Sequence, residues 1–191
     1  MAALTTDQKR LNSIKNVPMW VNILQANNVQ DRVIPLVISQ IIFETGWFNS
    51  TAYKKDNNPG GVTWNNNYLS RPGTSVGSKR PAREGGNYVK FVDYNTAAKD
   101  IIRILSKKAS TNNIGKPIEA VDALDFARRL KDNNYYTSKL IDYANGIKSI
   151  NNRIEDWTNL TALLKKKSNT NLAAINPLFI LVIIGFLFVK K

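Results

Sequence analysis

The sequence predicts a mainly helical domain with a minor β component, followed by an apolar C-terminal helix. Three observations carry this. Apolar residues recur at helical spacing through most of the chain between Asp7 and Leu164. One stretch, Asn49 to Asn87, loses that pattern and turns to Asn, Gly, Pro, Ser and Tyr. The chain then closes on an uncharged run, Leu172 to Val189, with lysines on both sides.

The elements follow in order. Asp7 to Asn28 reads as helical: Leu11 and Ile14 share a face, Pro18 interrupts, and Trp20, Ile23 and Leu24 resume before Asn27-Asn28 ends it. Pro35 suits the first position of a second helix, where its missing N–H is not needed. From Leu36 to Phe43 only Ser39 and Gln40 are polar, so this helix is expected to be buried nearly all round, and Gly46 can leave it in the left-handed conformation. The long non-helical stretch that follows is of the kind compact domains keep for function. It ends in a turn at Gly85-Gly86-Asn87 and a short strand, Tyr88 to Val92. Asn95 or Thr96 caps the next helix, which runs to about Ser110 with Ile101, Ile102, Ile104 and Leu105 inward. Asn112-Asn113 and Gly115 break the chain. Pro117 opens a helix with apolar positions Ile118, Val121, Leu124, Ala127 and Leu130. After Asn133-Asn134-Tyr135-Tyr136, two seven-residue series (Leu140, Ile147, Ile154 and Ile150, Trp157, Leu164) mark a long last helix. Beyond residue 150 these heptads form either a stem or a helix that packs back on its own domain.

Composition narrows the chemistry. There is no cysteine and no histidine. That excludes disulfides, Cys- and His-based metal sites, Ser-His-Asp and Cys-His catalysis, and histidine pH switching. Hydrolytic chemistry has to run on carboxylates, Tyr, Lys or Ser, and neither a metal nor a cofactor is expected. The formal charge is +13 with a pI near 10.0, which points to a polyanionic partner: nucleic acid, an anionic bilayer surface or an anionic cell wall. No nucleic-acid motif accompanies the charge, so the last two are favoured. The first fifteen residues lack an apolar core, so no secretory signal is expected there. Leu172 to Val189 is read as a transmembrane helix near the lower limit of about 17 to 25 residues, the alternative being a buried C-terminal core helix.

One carboxylate stands out. Glu44 falls in the last turn of the apolar helix, close in sequence to Ile41, Phe43 and Trp47. Apolar surroundings and the negative end of a helix both disfavour its charged form, which is how a general acid is kept protonated. Gln40, one turn back on the same face, is placed to orient the carboxyl or a substrate group. A hydrogen-bonded neutral Glu without a catalytic role has the same local pattern.

Pro35, Gln40, Glu44, Thr45, Gly46 and Trp47 resemble the P-x4-Q-x3-E-[ST]-G-W catalytic-helix signature of the bacterial and phage glucosaminidases that cut peptidoglycan (glycoside hydrolase family 73). Ser50 falls where that family often has a serine. Asn57-Asn58 and Gly61-Val62 resemble its N-N-x-F-G-[IV] turn, although Pro59-Gly60 replaces the usual Leu-Phe. Phe91, Tyr94 and Thr96 resemble its F-R-x-Y-x-S segment, and Tyr136 with Lys139-Leu140 its Y-A-x-K-L segment. The resemblance covers about residues 33 to 150.

The resemblance implies a lysozyme-like α+β fold, a helical lobe with a small β-hairpin lobe over 1–150. A helical stem and basic linker (151–171) and the transmembrane helix (172–189) would follow. It implies an endo-β-N-acetylglucosaminidase or lysozyme-like muramidase acting on peptidoglycan glycan strands, with Glu44 as acid. Glu84 is the first candidate for a second carboxyl, because it precedes the hairpin turn where some family members carry an acidic residue. Asp93 and Asp56 are further candidates, and the substrate's own N-acetyl group is an alternative to all three. Trp47, Trp64, Tyr68, Tyr135 and Tyr136 are candidate sugar-facing aromatics. With a lipid bilayer as second partner, the architecture suggests a membrane-anchored lysin, for instance in the membrane of a virus particle. A lysozyme-like wall-binding or structural virion membrane protein without activity is the other reading.

Overall fold

The computed structural model describes residues 3–108 and 115–165. The chain divides into a unit reaching to Leu160 and a second from Thr161 onward, of which residues 161–165 are described and helical. The first unit carries the fold.

Helix α1 (Thr6–Ala26) starts on a capping box in which Thr5 and Gln8 satisfy each other's backbone N–H groups. Pro18 lies inside it without interrupting it. Its inner face is Ser13, Val17, Trp20, Val21 and Leu24, whereas Leu11 and Ile14 are 66% and 47% exposed. Trp20 sets this register, because Leu11 precedes it by nine residues, about two and a half turns, which puts it on the opposite face of the helix. Helix α2 (Ile34–Thr45) is buried on nearly every side, as its composition requires, and ends on Gly46 in the left-handed conformation.

The Asn/Gly-rich stretch holds more structure than its pattern reveals. Ser50 caps a short helix, α3 (Thr51–Asp56), too brief for periodicity to register. A 3-10 turn (Asn66–Tyr68) leads to β1 (Thr74–Lys79), which pairs antiparallel with β2 (Asn87–Phe91). The register runs Thr74 to Phe91, Ser75 to Lys90, Val76 to Val89 and Lys79 to Asn87, with an irregularity between Val76 and Lys79. The polar sequence of β1 hid it, since that strand buries none of its residues fully.

Helix α4 (Tyr94–Leu105) is capped by Asp93 rather than by Asn95 or Thr96: the Asp93 carboxylate accepts from Thr96 N at 2.7 Å. It closes at Leu105, well before Ser110. Pro117 opens only a 3-10 turn, and α5 (Ala123–Asp132) begins after the Asp122 cap, leaving Val121 outside the helix and exposed. Helix α6 (Leu140–Thr158) packs on α1, α2 and α5, with Ile147, Ile150 and Ile154 inward. Within residues 151–158, Ile154 is the buried position. Gly146 permits the close approach to α2, because a Cβ there would stand 2.9 Å from the Phe43 ring.

The result is a helical body carrying one two-stranded lobe. The expected transmembrane helix is corrected: no helix among the described residues is long and apolar enough to cross a membrane, and residues 172–189 lie outside the described residues. The fold class of the described residues is mainly helical α+β.

Candidate active site

The end of α2 is shaped by three successive residues in the left-handed region: Gly46 (φ 55°), Trp47 (φ 63°) and Phe48 (φ 59°). Gly46 takes this conformation at no steric cost, but for Trp47 and Phe48 it is strained, so something must hold it. Thr45 does so. Its hydroxyl donates to Ile41 O at 2.6 Å and accepts from Phe48 N at 2.9 Å, while Trp47 N donates to Ile42 O at 2.9 Å. Trp47 O in turn accepts from Asn12 Nδ2. The chain reverses tightly and leaves Glu44 at the lip of the helix.

Glu44 lines two grooves, each of about 590 Å³. One runs past Trp47, Ser50, Lys9 and the hairpin residues Lys79, Arg80 and Tyr88. The other runs past Phe43, Gly60, Tyr143 and the segment Asn133 to Ser138. Among the described residues lining these grooves, Glu44 is the sole carboxyl. A narrow apolar crevice below it is closed by Gln40, Ile41, Pro59, Ile104 and Tyr135.

As a residue Glu44 keeps contact with solvent along the grooves, yet its carboxyl is crowded by protein atoms. Crowding governs its ionisation, since charge has to be stabilised where it resides. Burial raises the Glu44 pKa above the usual carboxylate value, and a hydrogen bond from Tyr143 Oη to Oε1, 3.4 Å long, opposes this only weakly. The neighbouring phenols respond in kind. Burial first, then the charge of Glu44, pushes the Tyr143 and Tyr135 hydroxyls well above the ordinary tyrosine value, so both remain proton donors.

The expected site residues separate into two groups. Gln40, Trp47, Tyr135 and Tyr136 lie around Glu44. Gln40 is buried, with Oε1 lacking a partner. The Trp47 ring lies 5.2 Å from that of Trp157, with Lys9 Nζ 5.9 Å from it. Tyr136 stacks on Tyr143 at 3.9 Å, and its hydroxyl donates to Ala127 O. The others lie elsewhere. Tyr68 is a core residue of the small lobe, 3% exposed, its hydroxyl donating to Asp100 and its pKa pushed up to about 12 by burial and by that carboxylate. Trp64 packs on the same cluster. Glu84 lies at the hairpin tip, with Oε2 2.9 Å from Arg80 Nη2 and Oε1 3.8 Å from Arg83 Nε, and it lines neither groove. Asp56 accepts from Ser78 N with both oxygens, and Asp93 is the α4 cap. Sequence reasoning missed Tyr143, Lys9, Lys79 and Arg80. For Tyr143 a signal existed: it shares the inner face of α6 with Ile147, Ile150 and Ile154, a hydroxyl in an apolar stripe. Among the described residues no group of acidic side chains is arranged to hold a metal ion.

A helical body and a hairpin lobe, with a long groove meeting a crowded carboxyl between them, define the lysozyme-like class of glycoside hydrolase folds. The glucosaminidase family model, described as mannosyl-glycoprotein endo-beta-N-acetylglucosaminidase, matches residues 20–156, and the chain belongs to that family of glycoside hydrolases. Solved structures agree on the fold. A peptidoglycan hydrolase from Sphingomonas sp. A1 superposes with a TM-score of 0.56 at 17% identity, covering 81% of this chain and 94% of that one. The catalytic domain of the autolysin Auto from Listeria monocytogenes gives 0.51 at 17%, covering 85% and 90%. A type VI secretion effector–immunity complex from Pseudomonas protegens gives 0.52 at 12%, covering 75% and 94%. No curated protein matches the chain.

Proposed function

We propose that this protein cleaves the glycan strand of peptidoglycan at N-acetylglucosamine linkages, with Glu44 as general acid. The observation that carries the reading is the position of Glu44: a carboxyl whose protonated form burial favours, where two grooves of about 590 Å³ each meet. The names of the Sphingomonas and Listeria structures support peptidoglycan as the substrate. The charge of +13 favours an anionic polymer over a neutral one.

In this reading Glu44 gives its proton to the glycosidic oxygen as the bond from that oxygen to the anomeric carbon breaks. No second carboxyl lines the grooves among the described residues. The acetamido oxygen of the sugar being cleaved therefore closes on its own anomeric carbon as the leaving sugar departs. Glu44, now ionised, takes a proton from the water that opens this ring. Tyr143 and Tyr135 supply hydroxyl donors around the carboxylate at that stage. Thr45 holds the helix end that presents it.

Mass spectrometry of digested peptidoglycan tests the proposal. Fragments with N-acetylglucosamine at the new reducing end are expected. Muramic acid at that end, or no fragments at all, would reject it.

A further inference from the structure

The two grooves that meet at Glu44 are not alike. The one along the hairpin is lined by three cations, Lys9, Lys79 and Arg80. The one along Asn133 to Ser138 is lined by amides, hydroxyls, phenol rings and apolar side chains, with one cation behind this lining: Lys131, whose Nζ donates to Ser138 O and stands 5.1 Å from the centre of the Tyr136 ring. Arg80 is fixed by the hairpin: Nη2 donates to Glu84 Oε2 at 2.9 Å, Nη1 approaches the Glu84 and Gly85 carbonyls at 3.4 Å, and the guanidinium stands 5.8 Å from the centre of the Tyr88 ring. Lys79 is exposed beside it. Glu84 offsets one charge, so this arm keeps a positive balance, whereas the residues lining the opposite arm include no cation.

A glycan lying across Glu44 therefore meets three cations in the lining on the hairpin side, and on the other side a single one, already engaged with Ser138 O and the Tyr136 ring. In peptidoglycan, alternate sugars carry a lactyl group whose carboxyl is either free or joined to a peptide that itself bears carboxylates. We infer that the Lys79–Arg80 arm binds a carboxylate carried by the sugar next to the cleavage point, and so fixes the direction in which the strand lies. The inference rests on the reading of Glu44 as the cleavage point, and it assigns Lys79 and Arg80 as specificity residues of that reaction. Charge-assisted bonds to a carboxylate are directional and strong enough to select an orientation, and at a partly exposed wall they weaken with salt.

The test uses the full chain and three soluble strands: neutral N-acetylglucosamine oligomers, strands stripped of peptide so that the lactyl carboxyl is free, and strands that keep their peptides. Affinity is measured on Glu44→Gln and cleavage on the wild type. At low salt the carboxylate-bearing strands should bind about tenfold more tightly than the neutral ones. That preference should shrink at high salt, and in Lys79→Gln/Arg80→Gln it should fall several-fold, expressed in KM rather than in kcat. Preference for both charged strands identifies the lactyl carboxyl, and preference for peptide-bearing strands alone identifies the peptide. Arg80→Gln also loses its bond to Glu84, so Lys79→Gln alone, at an exposed position, separates recognition from hairpin disruption. An affinity ratio that is the same in wild-type and variant backgrounds, or insensitive to salt, overturns the inference. Absence of cleavage with the charge preference intact overturns the reading of Glu44 instead.

Discussion

Tyr143 Oη stands 3.4 Å from Glu44 Oε1, joining α6 to the end of α2 across ninety-nine residues of sequence. The contact is long for a hydroxyl–carboxylate bond, so it restrains the carboxyl in place without supplying enough stabilisation to undo the effect of burial. The Glu44 pKa stays raised.

Glu44→Gln keeps shape and removes the proton. Hydrolysis should fall by at least ~10²-fold, the lower end for general acid catalysis, with the fold retained by circular dichroism. In the wild type, kcat/KM should decline as pH rises through the raised Glu44 value, since in the proposed mechanism the active form is the protonated one. The stability effect has a fixed sign. Between the ordinary carboxyl value and the raised one, the folded state keeps a proton that the unfolded state has lost, so stability falls as pH climbs through that window. Glu44→Gln avoids this loss and should melt no lower than the wild type near neutral pH.

Tyr143→Phe tests the contact itself. The ring remains stacked on Tyr136 and edge-on to Phe43, at 5.1 Å between ring centres, so packing is conserved. Loss of the donor leaves burial less opposed, and the Glu44 pKa should move further up. The alkaline limb of the pH–rate profile should therefore shift to higher pH. A shift in the other direction would show that Tyr143 does not act on Glu44 through this bond.

The helical body was legible because its dominant signals are local. The apolar run of α2, the Gly46 exit and the inward face of α6 follow from composition and spacing. The position of Glu44 was legible for the same reason. Elements held by long-range polar contacts were not. β1 is a polar strand defined only by its partner, and α3 is a single capped turn or two. The candidate aromatics show the same limit: nothing local distinguishes Tyr136, beside the groove, from Tyr68, which a buried bond to Asp100 turns inward. The inner face of α1 was misjudged because Leu11 and Ile14 form a plausible pair that the larger Trp20 overrules.

Glu84→Gln distinguishes a catalytic carboxylate from one that positions Arg80. The pair at 2.9 Å, with the Glu84 side chain 36% exposed, supports the second role. A loss of activity below roughly tenfold is expected, with the preference for charged strands reduced, in keeping with the modest worth of such pairs. A drop of ~10² or more, with strand preference unchanged, would assign Glu84 a direct part in the chemistry.

Asn58 holds the lobe that forms one groove wall, and its removal should be felt in stability before activity. The side chain is fully buried. Its Nδ2 donates to Val62 O and Val89 O, both at 2.8 Å, and its Oδ1 accepts from Val62 N at 2.9 Å. In Asn58→Ala, Val62 O keeps the bond from Val89 N, but Val62 N, which is part-buried, and Val89 O, which is buried, lose these partners. Leaving such groups unpaired costs about 2–4 kcal/mol in total, measurable by urea denaturation. Asn58→Asp separates hydrogen bonding from volume. The carboxylate can still accept from Val62 N, but it sets negative charge against two carbonyl oxygens, so its pKa in the folded state must rise. Its deficit relative to the wild type should then narrow as pH falls through that raised value, where a protonated carboxyl regains a donor. An Asn58→Asp deficit that does not change with pH would mean that the lobe is held by packing around Val89 and Phe91 rather than by the Asn58 bonds.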